Sequence, residues 1–378
     1  MSPRAIVVGG GIGGLASAIS LTQAGWDVDV FERKESFTEI GAGLTLWPNA
    51  LAALDTLGVG AGARAEAVSN YEGGAMTTDG RWLMRLNSED IRERYGQIVI
   101  LSRPHLLSLL LAEVPESSLH PSTPVQSVTT DGTVTTPTGE HRADLVVAAD
   151  GVRSVVRQQL WPKASAPRYS GFIAKRFNTN VLDEPLPNGV WVCAPRRSFG
   201  YTPLPGGRAY GWAIERSAPG GDSKDLSEYT TWRDPIPRMV ANVGETGVLR
   251  HDMYDAPMLR TYVAGRVVLV GDSAHAMQPS FGQGACQALE DAVTLPRCVN
   301  DLRLYDRARR RRTQRIVRMS GWTMRSAHFT SPISVLARNA FFASIPQPVM
   351  MRAMGADWSW RPKPLPGPST RVPLPDPA

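Results

Sequence analysis

The stretch RAIVVGGGIGGL, residues 4–15, decides how the first part of this chain folds. Ala5–Val8 is a short apolar run that predicts a buried β-strand, and a cluster of glycines follows it directly. Gly9, Gly11 and Gly14 occupy the three glycine positions of a G-x-G-x-x-G pattern. In such a pattern the first glycine allows a tight turn, the second lets the backbone approach a pyrophosphate, and the third lets helix and strand pack closely. The stretch therefore predicts the opening unit of a doubly wound sheet.

The residues that follow indicate what kind of nucleotide this unit binds. The amphipathic stretch Leu15–Gln23 predicts a helix, and Val28–Phe31 predicts the next strand. The helix N-terminus, which includes Gly13, offers free N–H groups and a positive dipole end to phosphates. Glu32 ends the second strand, where its carboxylate can accept from both ribose hydroxyls and would repel a 2′-phosphate. The pattern predicts an adenosine with a free 2′-OH, as in FAD or NAD, and leaves the choice between them open.

Two later segments repeat the order of buried strand, glycine turn and helix. In the first, residues 144–149 predict a strand and Asp150 and Gly151 a sharp turn. Taken alone, this segment is equally typical of an ordinary strand-to-helix connection. In the second, residues 266–270 predict a buried strand, and Asp272 follows it at a glycine turn. A carboxylate in that position can hydrogen-bond a polyol.

The rest of the chain predicts a second layer and a helical end. Between residues 167 and 262, short runs rich in aromatic and branched residues alternate with turn signals, which favours an antiparallel sheet. A long helical region is predicted from about Gln283 to Arg318, and Pro296 should kink or break it. Residues 361–378 are rich in proline and predict a polyproline-like or disordered tail.

Composition limits the class of protein. The chain has 378 residues and a net charge of +6, and no run reaches the roughly 18 apolar residues of a membrane span. Much of the excess charge lies in residues 307–318, RARRRRTQRIVR. We interpret this run as a solvated helix face, since no aromatic residues interleave with it for base stacking. Three cysteines, Cys193, Cys286 and Cys298, are too few for a disulfide framework. With no signal peptide and no metal-binding spacing expected, the composition favours a cytoplasmic protein.

Together the three glycine-bearing segments, in this order and at these separations, resemble the group A flavoprotein monooxygenases, which share the para-hydroxybenzoate hydroxylase fold. Gly41–Asn49, Leu101–Leu106 and Thr123–Val125 are similar as well. The chain looks most similar to the salicylate hydroxylase-like, urate hydroxylase-like and zeaxanthin epoxidase-like members, from residue 4 to about residue 360.

The resemblance implies an α/β fold with a Rossmann-like FAD-binding domain, an inserted antiparallel β-sheet substrate domain and a C-terminal helical region. The expected boundaries are 1–70, 101–166 and 263–300 for the FAD-binding domain, 71–100 and 167–262 for the substrate domain, 301–360 for the C-terminal helices, and 361–378 for the Pro-rich tail.

The resemblance also assigns residues to the cofactor. Glu32 would hold the adenosine ribose, Val125 would bond adenine through its backbone, and Asp272 would bind the ribitol. Asp150 and Gly151 would serve both FAD and the transient nicotinamide cofactor. The full predicted set is Gly9, Gly11, Gly13, Gly14, Glu32, Arg33, Gly43, Thr45, Arg103, Val125, Asp150, Gly151, Asp272, Gly282, Gln283, Gly284 and Ala285.

The implied reaction uses NADH or NADPH and O2 to hydroxylate or epoxidise a small aromatic or heterocyclic molecule, by way of a flavin hydroperoxide. An aromatic-lined cavity under the second layer would keep water away from that chemistry. One alternative is an FAD-dependent reductase or oxidase that inserts no oxygen, and another is a catalytically silent flavin-binding protein. We expect no nucleic-acid partner, no metal ion, and a monomer or homodimer.

Substrate contacts are predicted on the strands of the second layer. A phenolic substrate reacts more readily as phenolate, so a base or a cation near its hydroxyl would help. Arg197, Tyr201 and Tyr210 are the catalytic candidates, with Trp212 beside them. Both tyrosines are equally consistent with core positions, and Arg197 is equally consistent with a surface turn.

Overall fold

The fold is taken from a computed structural model that describes residues 2–37, 43–68, 72–164 and 166–363. The strands described there are, in chain order, β1 Arg4–Val8, β2 Asp27–Phe31, β3 Gly43–Leu46, β4 Glu72–Thr77, β5 Trp82–Leu86, β6 Val99–Ser102, β7 Leu119–His120, β8 Ser127–Val128, β9 Thr133–Thr136, β10 Gly139–Arg142, β11 Leu145–Ala148, β12 Arg168–Asn178, β13 Asn188–Ala194, β14 Arg197–Leu204, β15 Arg208–Arg216, β16 Leu249–Asp255, β17 Val263–Ala264 and β18 Val267–Leu269. The helices are α1 Ile12–Gln23, α2 Pro48–Leu57, α3 Gly60–Ala65, α4 Ser88–Arg94, α5 Arg103–Ala112, α6 Val155–Leu160, α7 Ile236–Ala241, α8 Asp272–His275, α9 Gly284–Thr294, α10 Leu302–Ala327, α11 Pro332–Ser344 and α12 Gln347–Trp358.

The first sheet carries the predicted nucleotide-binding turns. Its strand order is β17-β18-β11-β1-β2-β7, and every neighbouring pair is parallel except β17 with β18. The apolar runs of β11 and β18 are buried along their whole length, as expected for a sheet covered on both faces. Gly9, Glu32, Asp150 and Asp272 follow β1, β2, β11 and β18. Because those strands are parallel, all four residues meet at the same edge of the sheet.

The second sheet has the order β16-β12-β15-β14-β13-β4-β5. It is antiparallel, as predicted, except where β13 pairs parallel with β4. A parallel pairing is possible there because a long connection, rather than a tight hairpin, separates β4 from β13 in the chain. The mixed α/β fold with its antiparallel layer and C-terminal helices is thus confirmed, while the exact domain boundaries stay predictions.

The C-terminal helices begin after the predicted break at Pro296. Helix α9 ends at Thr294, a short 3-10 turn covers Leu295–Arg297, and α10 begins at Leu302 with Asp301 as its N-cap. The prediction of an interrupted helix is therefore confirmed. Helices α10, α11 and α12 then lie along the cavity side of the second sheet, where α11 and α12 both contact β5.

Helix α4 was not predicted from the sequence. Asn87 caps it by accepting hydrogen bonds from the N–H groups of Glu89 and Asp90. Ile91 is the one apolar residue of this helix, and it is fully buried. A single apolar residue gives no helical period, so the sequence carried no signal for the helix. Most of the predicted Pro-rich tail lies outside the described residues.

All three cysteines are buried and none forms a disulfide. Among the residues that the structure describes, no helix combines the length and the apolar character that crossing a lipid bilayer requires.

Candidate functional site

The glycine turn after β1 has the geometry of a phosphate cradle. Gly9 has a φ of +104°, in the left-handed region that favours glycine. A Cβ at Gly14 would clash with the carbonyl oxygen of Gly9, so helix and strand could not approach with any larger residue there. Gly11 is the N-cap of α1, and a Cβ built on it would meet nothing within 4 Å. The start of α1 is therefore open for a negatively charged group to approach its free N–H groups.

Glu32 is held in place at the same edge. Its Oε2 accepts from the N–H of Gly10 at 2.7 Å, and its Oε1 accepts from the N–H of Lys34 at 2.9 Å. Arg33 beside it is exposed. Each carboxylate oxygen has two lone pairs, so both keep the capacity to accept from ribose hydroxyls.

The turn after β11 is tied to the turn after β18. Asp150 Oδ2 accepts from the N–H of Val156 at 3.2 Å, which caps α6, and burial raises the pKa of Asp150. Asp150 Oδ1 is buried without a hydrogen-bond partner among the described residues. Arg157 is fully buried and donates to the carbonyl of Ser273 at 2.8 Å and to that of Val152. Asp272, by contrast, is exposed at the start of α8, where a hydroxyl-bearing ligand can reach it.

A buried ionic cluster supports the start of α9. Arg309 from α10 is only 1% exposed, and its Nε donates to Asp291 Oδ1 at 2.6 Å while Nη1 pairs with Glu290. His275 Nε2 lies 2.6 Å from Asp291 Oδ2. Burial alone would raise the pKa of Asp291, but the charges of His275 and Arg309 outweigh it and lower that pKa. In the same way burial would raise the pKa of Glu290, and Arg309 and Arg312 lower it.

This cluster corrects our interpretation of the arginine-rich run. We expected residues 307–318 to be a solvated helix face, but Arg309 is buried and Arg312 donates to Glu290 at 2.7 and 2.8 Å. Only part of the run, such as Arg307, is exposed. The prediction failed because Glu290 and Asp291, which pair with these arginines, lie on α9 and not within residues 307–318.

The cluster positions the predicted flavin-side residues Gly282, Gln283, Gly284 and Ala285. Asn49 Nδ2 donates to Gln283 Oε1 at 3.0 Å and to Glu290 Oε1 at 2.7 Å, which joins α2 to the N-terminus of α9. Gln283 Nε2 and Trp47 Nε1 are buried without hydrogen-bond partners among the described residues. A Cβ on Gly282 would lie 3.1 Å from Trp47 Nε1, so these groups border one space. Unpaired donors beside a helix N-terminus fit the carbonyl-rich pyrimidine end of a flavin.

Other predicted cofactor residues lie in the same region. Gly43 and Thr45 on β3 and Arg103 at the start of α5 line the cavity described below. Gly13 packs close to α9, since a Cβ there would lie 3.3 Å from Cβ of Ala288. Val125 is half-buried in the loop before β8. Gly41 and Ala42, which carried part of the resemblance, lie outside the described residues.

A cavity of about 1290 Å³ lies between the second sheet and helices α10–α12. Its wall is mostly apolar and aromatic, with Trp191, Tyr210 and Trp212 contributed by the sheet. Gly43, Thr45 and Gly282 also line it, and we call the place where these predicted cofactor residues meet the cavity the flavin region. An aromatic-lined cavity beside three converging nucleotide-binding turns is suited to holding a flat organic molecule against a cofactor ring.

The structure brings only some of the substrate candidates to this cavity. Tyr210 and Trp212 line it, whereas Arg197 and Tyr201 do not. Tyr201 faces the opposite side of the sheet, where it packs in an apolar core with Phe177. Successive residues of a strand point to opposite faces, and the pairing places Tyr201 opposite Gly211 and Tyr210 opposite Thr202. Of the three catalytic candidates, Tyr210 is therefore the one that the structure places at the cavity.

Arg197 lies at the start of β14 and pairs with the exposed Glu228. It thus takes the surface position that the sequence left open as its alternative. Burial raises the pKa of Tyr201 to about 12, which agrees with a core position.

Sequence reasoning missed Arg176, Thr202 and His251, which also line the cavity. Arg176 is half-buried on β12, and no described residue accepts a hydrogen bond from its guanidinium. Thr202 Oγ1 is buried and has no partner among the described residues. Ala174 and Arg176 share one face of β12 and both line the cavity, but that face could be assigned only once β12 was paired with β15.

Comparison with known proteins places these features in a family. Residues 3–318 match the family model described as an FAD binding domain. The chain is 34% identical over 315 residues to an aurachin C monooxygenase/isomerase from Stigmatella aurantiaca, covering 78% of this chain and 80% of that protein. It is 31% identical to a 3-hydroxybenzoate 6-hydroxylase from Klebsiella oxytoca, covering 95% and 97% of the two chains.

A solved structure of Klebsiella pneumoniae HpxO with FAD and uric acid is similar with a TM-score of 0.85 and 25% identity. The match covers 94% of this chain and 96% of that one. These relatives favour oxygen insertion over the alternative of a reductase or oxidase. The chain therefore belongs to the group A flavoprotein monooxygenases and is an FAD-dependent monooxygenase.

Proposed function

We propose that this enzyme uses NADH or NADPH and O2 to add one oxygen atom to an apolar aromatic or heteroaromatic molecule held in the cavity. The observation that carries the proposal is the cavity wall itself, which is aromatic on the sheet side and opens onto the flavin region at Gly43 and Gly282. A 3-hydroxybenzoate hydroxylase and a uric acid complex among the similar proteins support a ring-shaped substrate.

Arg176 and Tyr210 are proposed to hold the polar group of the substrate. Arg176 is the cationic side chain of β12 that faces the cavity. It lies close enough to Tyr210 for its positive charge to oppose the effect of burial on the pKa of that residue. Burial raises the pKa of Tyr210, so its phenol stays protonated at neutral pH and donates a hydrogen bond rather than acting as a base. A cation and a neutral donor together favour a substrate oxygen that carries negative charge, such as a phenolate or an enolate.

Thr202 supports the same interpretation. Its hydroxyl is buried against the cavity without a partner among the described residues, and it lies opposite Tyr210 in the sheet. A buried hydroxyl that is left unpaired costs about 1–3 kcal/mol. A hydrogen bond with bound substrate would remove that cost, so Thr202 is proposed to contact the same polar group.

The residues proposed to hold FAD lie where the pyrophosphate, the ribose and the ribitol of the cofactor can each reach a suitable group. Gly9, Gly11 and Gly14 leave the start of α1 open to the pyrophosphate, and Glu32 offers two oriented oxygens to the ribose. Exposed Asp272 is placed for the ribitol. When bound there, FAD would supply the redox chemistry that connects the nicotinamide cofactor with O2. Arg33, Arg103, Val125, Gly151 and the 282–285 segment complete the proposed contacts.

The protein's own part is to bind, orient and keep out water. The aromatic and aliphatic wall removes the substrate ring from solvent, while Arg176 and Tyr210 fix which ring edge faces the flavin region. Asp150 with its unpaired Oδ1 is the residue proposed to contact the transient nicotinamide cofactor. We also propose a cytoplasmic enzyme, in keeping with its three free cysteines.

The test is a screen of the FAD-loaded enzyme with NADH and with NADPH against hydroxybenzoates, hydroxyquinolines and polycyclic phenols. The expected result is substrate-stimulated consumption of one nicotinamide cofactor together with a product heavier by one oxygen, labelled when 18O2 is supplied. Consumption of cofactor with no oxygenated product for any compound would favour the reductase or oxidase alternative and overturn the proposal.

A further inference from the structure

The far end of the cavity is apolar and lies on different elements from the polar end. We define the tail compartment by the lining residues Leu83 and Leu86 of β5, Phe342 of α11, Ile345 in the following turn, and Met350 and Met354 of α12. The polar lining residues Arg176, Tyr210 and His251 lie on β12, β15 and β16. The two sets are therefore at opposite edges of the seven-stranded sheet.

The distance between the ends exceeds what a small ring system needs. Five strand-to-strand steps separate β12 from β5 in the order β12-β15-β14-β13-β4-β5. At about 4.8 Å per step, this separation is roughly 24 Å. Part of the 1290 Å³ borders the proposed flavin residues, so the inference depends on the length and lining of the cavity rather than on its volume.

The apolar side chains of the helices over the tail compartment are only partly buried by the protein. Along α11 the one buried residue is Arg338, although the helix also carries Phe341 and Phe342. Phe342, Ile345, Met350 and Met354 are each half-buried and line the cavity. Apolar side chains that face an internal cavity gain free energy when an apolar ligand removes them from water.

The lining beside the compartment offers few polar groups, of which Trp191 Nε1 is buried without a partner among the described residues. Arg338 of α11 is the charged side chain of the cavity lining next to the compartment among the described residues, and it is already occupied: its Nη1 donates to the carbonyl of Ala327 at 2.7 Å and its Nε donates to Asn339 Oδ1 at 3.0 Å. Met84, Met319, Met350 and Met354 all line the cavity. Methionine side chains are unbranched and adapt to irregular, flexible partners, which suits a chain better than a second rigid ring.

The compartment also reaches the surface. Trp322 and Val349 line the cavity, yet they are 49% and 58% exposed. A chain longer than the compartment can therefore extend outward between α10 and α12.

We propose that the natural substrate carries a long, flexible hydrocarbon chain that lies in the tail compartment while its aromatic head is held at Arg176 and Tyr210. This inference rests on the proposed function for the position of the head. The chain would contribute most of the binding affinity, and the head would determine which atom is presented to the flavin region.

The test measures binding of 2-alkyl-4-hydroxyquinolines with unbranched chains of one, three, five, seven and nine carbons. Dissociation constants are read from the change in the absorbance of bound FAD, so turnover is not required. Each methylene that becomes buried should lower Kd about fourfold. The readout is the slope of log Kd against chain length, because a poorly matched head shifts every member equally.

Two neighbouring phenylalanines provide a matched pair. Phe342 lines the cavity, whereas Phe341 is 53% exposed and does not. We expect Phe342→Asn to flatten the slope while leaving Kd of the one-carbon member within about twofold, and Phe341→Asn to leave the slope unchanged. Met350→Gln is a second variant of the compartment that should also flatten the slope if Phe342→Asn folds poorly.

Three results would overturn the inference: a flat slope in the unaltered enzyme, no binding of the nine-carbon member, or equal slopes in the two phenylalanine variants. Failure of the proposed function looks different. In that case the slope and its dependence on Phe342 would persist, but no member of the series would gain oxygen.

Discussion

The ionic cluster around Arg309 and the cavity wall around Arg176 use the same side chain in opposite ways. Arg309 is buried, and Glu290, Asp291 and Gln287 accept its hydrogen bonds. Arg176 is half-buried at the cavity, with no described residue accepting from it. A buried charge whose hydrogen bonds are all accepted positions the fold, whereas a charge left unpaired beside a cavity is available to a ligand.

The largest expected effect is on stability, at the cluster. Arg309→Met should lower the free energy of unfolding by about 3–5 kcal/mol, because it removes one cationic partner from each of two buried carboxylates, Glu290 and Asp291. Urea denaturation followed by circular dichroism measures the change. Arg307→Met is the matched control on the exposed side of the same helix and should change stability by less than about 0.5 kcal/mol. Equal losses in the two variants would contradict the comparison.

Acid should weaken the same cluster. The pKa values of Asp291 and Glu290 are lowered in the folded protein, so the stability they contribute is present above their unfolded values of about 4 and is lost as the pH falls toward the folded values. Unfolding midpoints measured between neutral pH and about pH 3.5 should therefore fall. The gap between the unaltered protein and Arg309→Met should narrow over that range. A gap that stays constant would show that the ion pairs do not carry the difference.

At the cavity the effect should appear in catalysis instead. Arg176→Gln should reduce kcat/KM for the best substrate by about 10- to 150-fold, the value of a hydrogen bond to a charged group, with FAD content and thermal stability unchanged. Arg197→Gln, which alters an arginine paired on the surface with Glu228, is the control and should stay within about twofold. If Arg197→Gln lost more activity than Arg176→Gln, the original choice of Arg197 would be restored.

The smallest effect is expected from two tyrosine hydroxyls on opposite faces of one sheet. Tyr210→Phe should lower kcat/KM by about two- to tenfold, since a neutral hydrogen bond contributes about 0.5–1.5 kcal/mol. Tyr201→Phe should leave kcat/KM unchanged, because this side chain packs in the apolar core away from the cavity. Steady-state kinetics on both variants decide whether the faces differ as described.

The nucleotide-binding edge was predictable from sequence because each of its parts is local. Gly9, Gly11, Gly14 and Glu32 lie within one strand–helix–strand unit, and their spacing carries the geometry. The ends of β1, β11 and β18 could also be predicted, because each of these apolar runs ends at a glycine turn. Their individual contacts with the cofactor nevertheless stay predictions.

The cavity wall was less predictable because it depends on strand pairing. Tyr201 and Tyr210 have similar sequence surroundings, and only the β14–β15 register separates the core face from the cavity face. Arg309 was expected on a solvated face and Arg176 was not singled out, for a related reason: the residues around each of them come from distant segments of the chain. The tail compartment combines β5 with α11 and α12, which no local pattern connects.

The parallel pairing of β4 with β13 has a consequence for biosynthesis. Gly73 on β4 pairs with Gly189 on β13, more than a hundred positions later. During synthesis the β4–β5 hairpin must therefore wait on the order of ten seconds with an unpaired edge before its partner leaves the ribosome. Exposed edges invite wrong pairing, and distant pairing slows folding. Slower translation would lengthen that exposure, so a chaperone that shields this hairpin should raise the yield of folded enzyme.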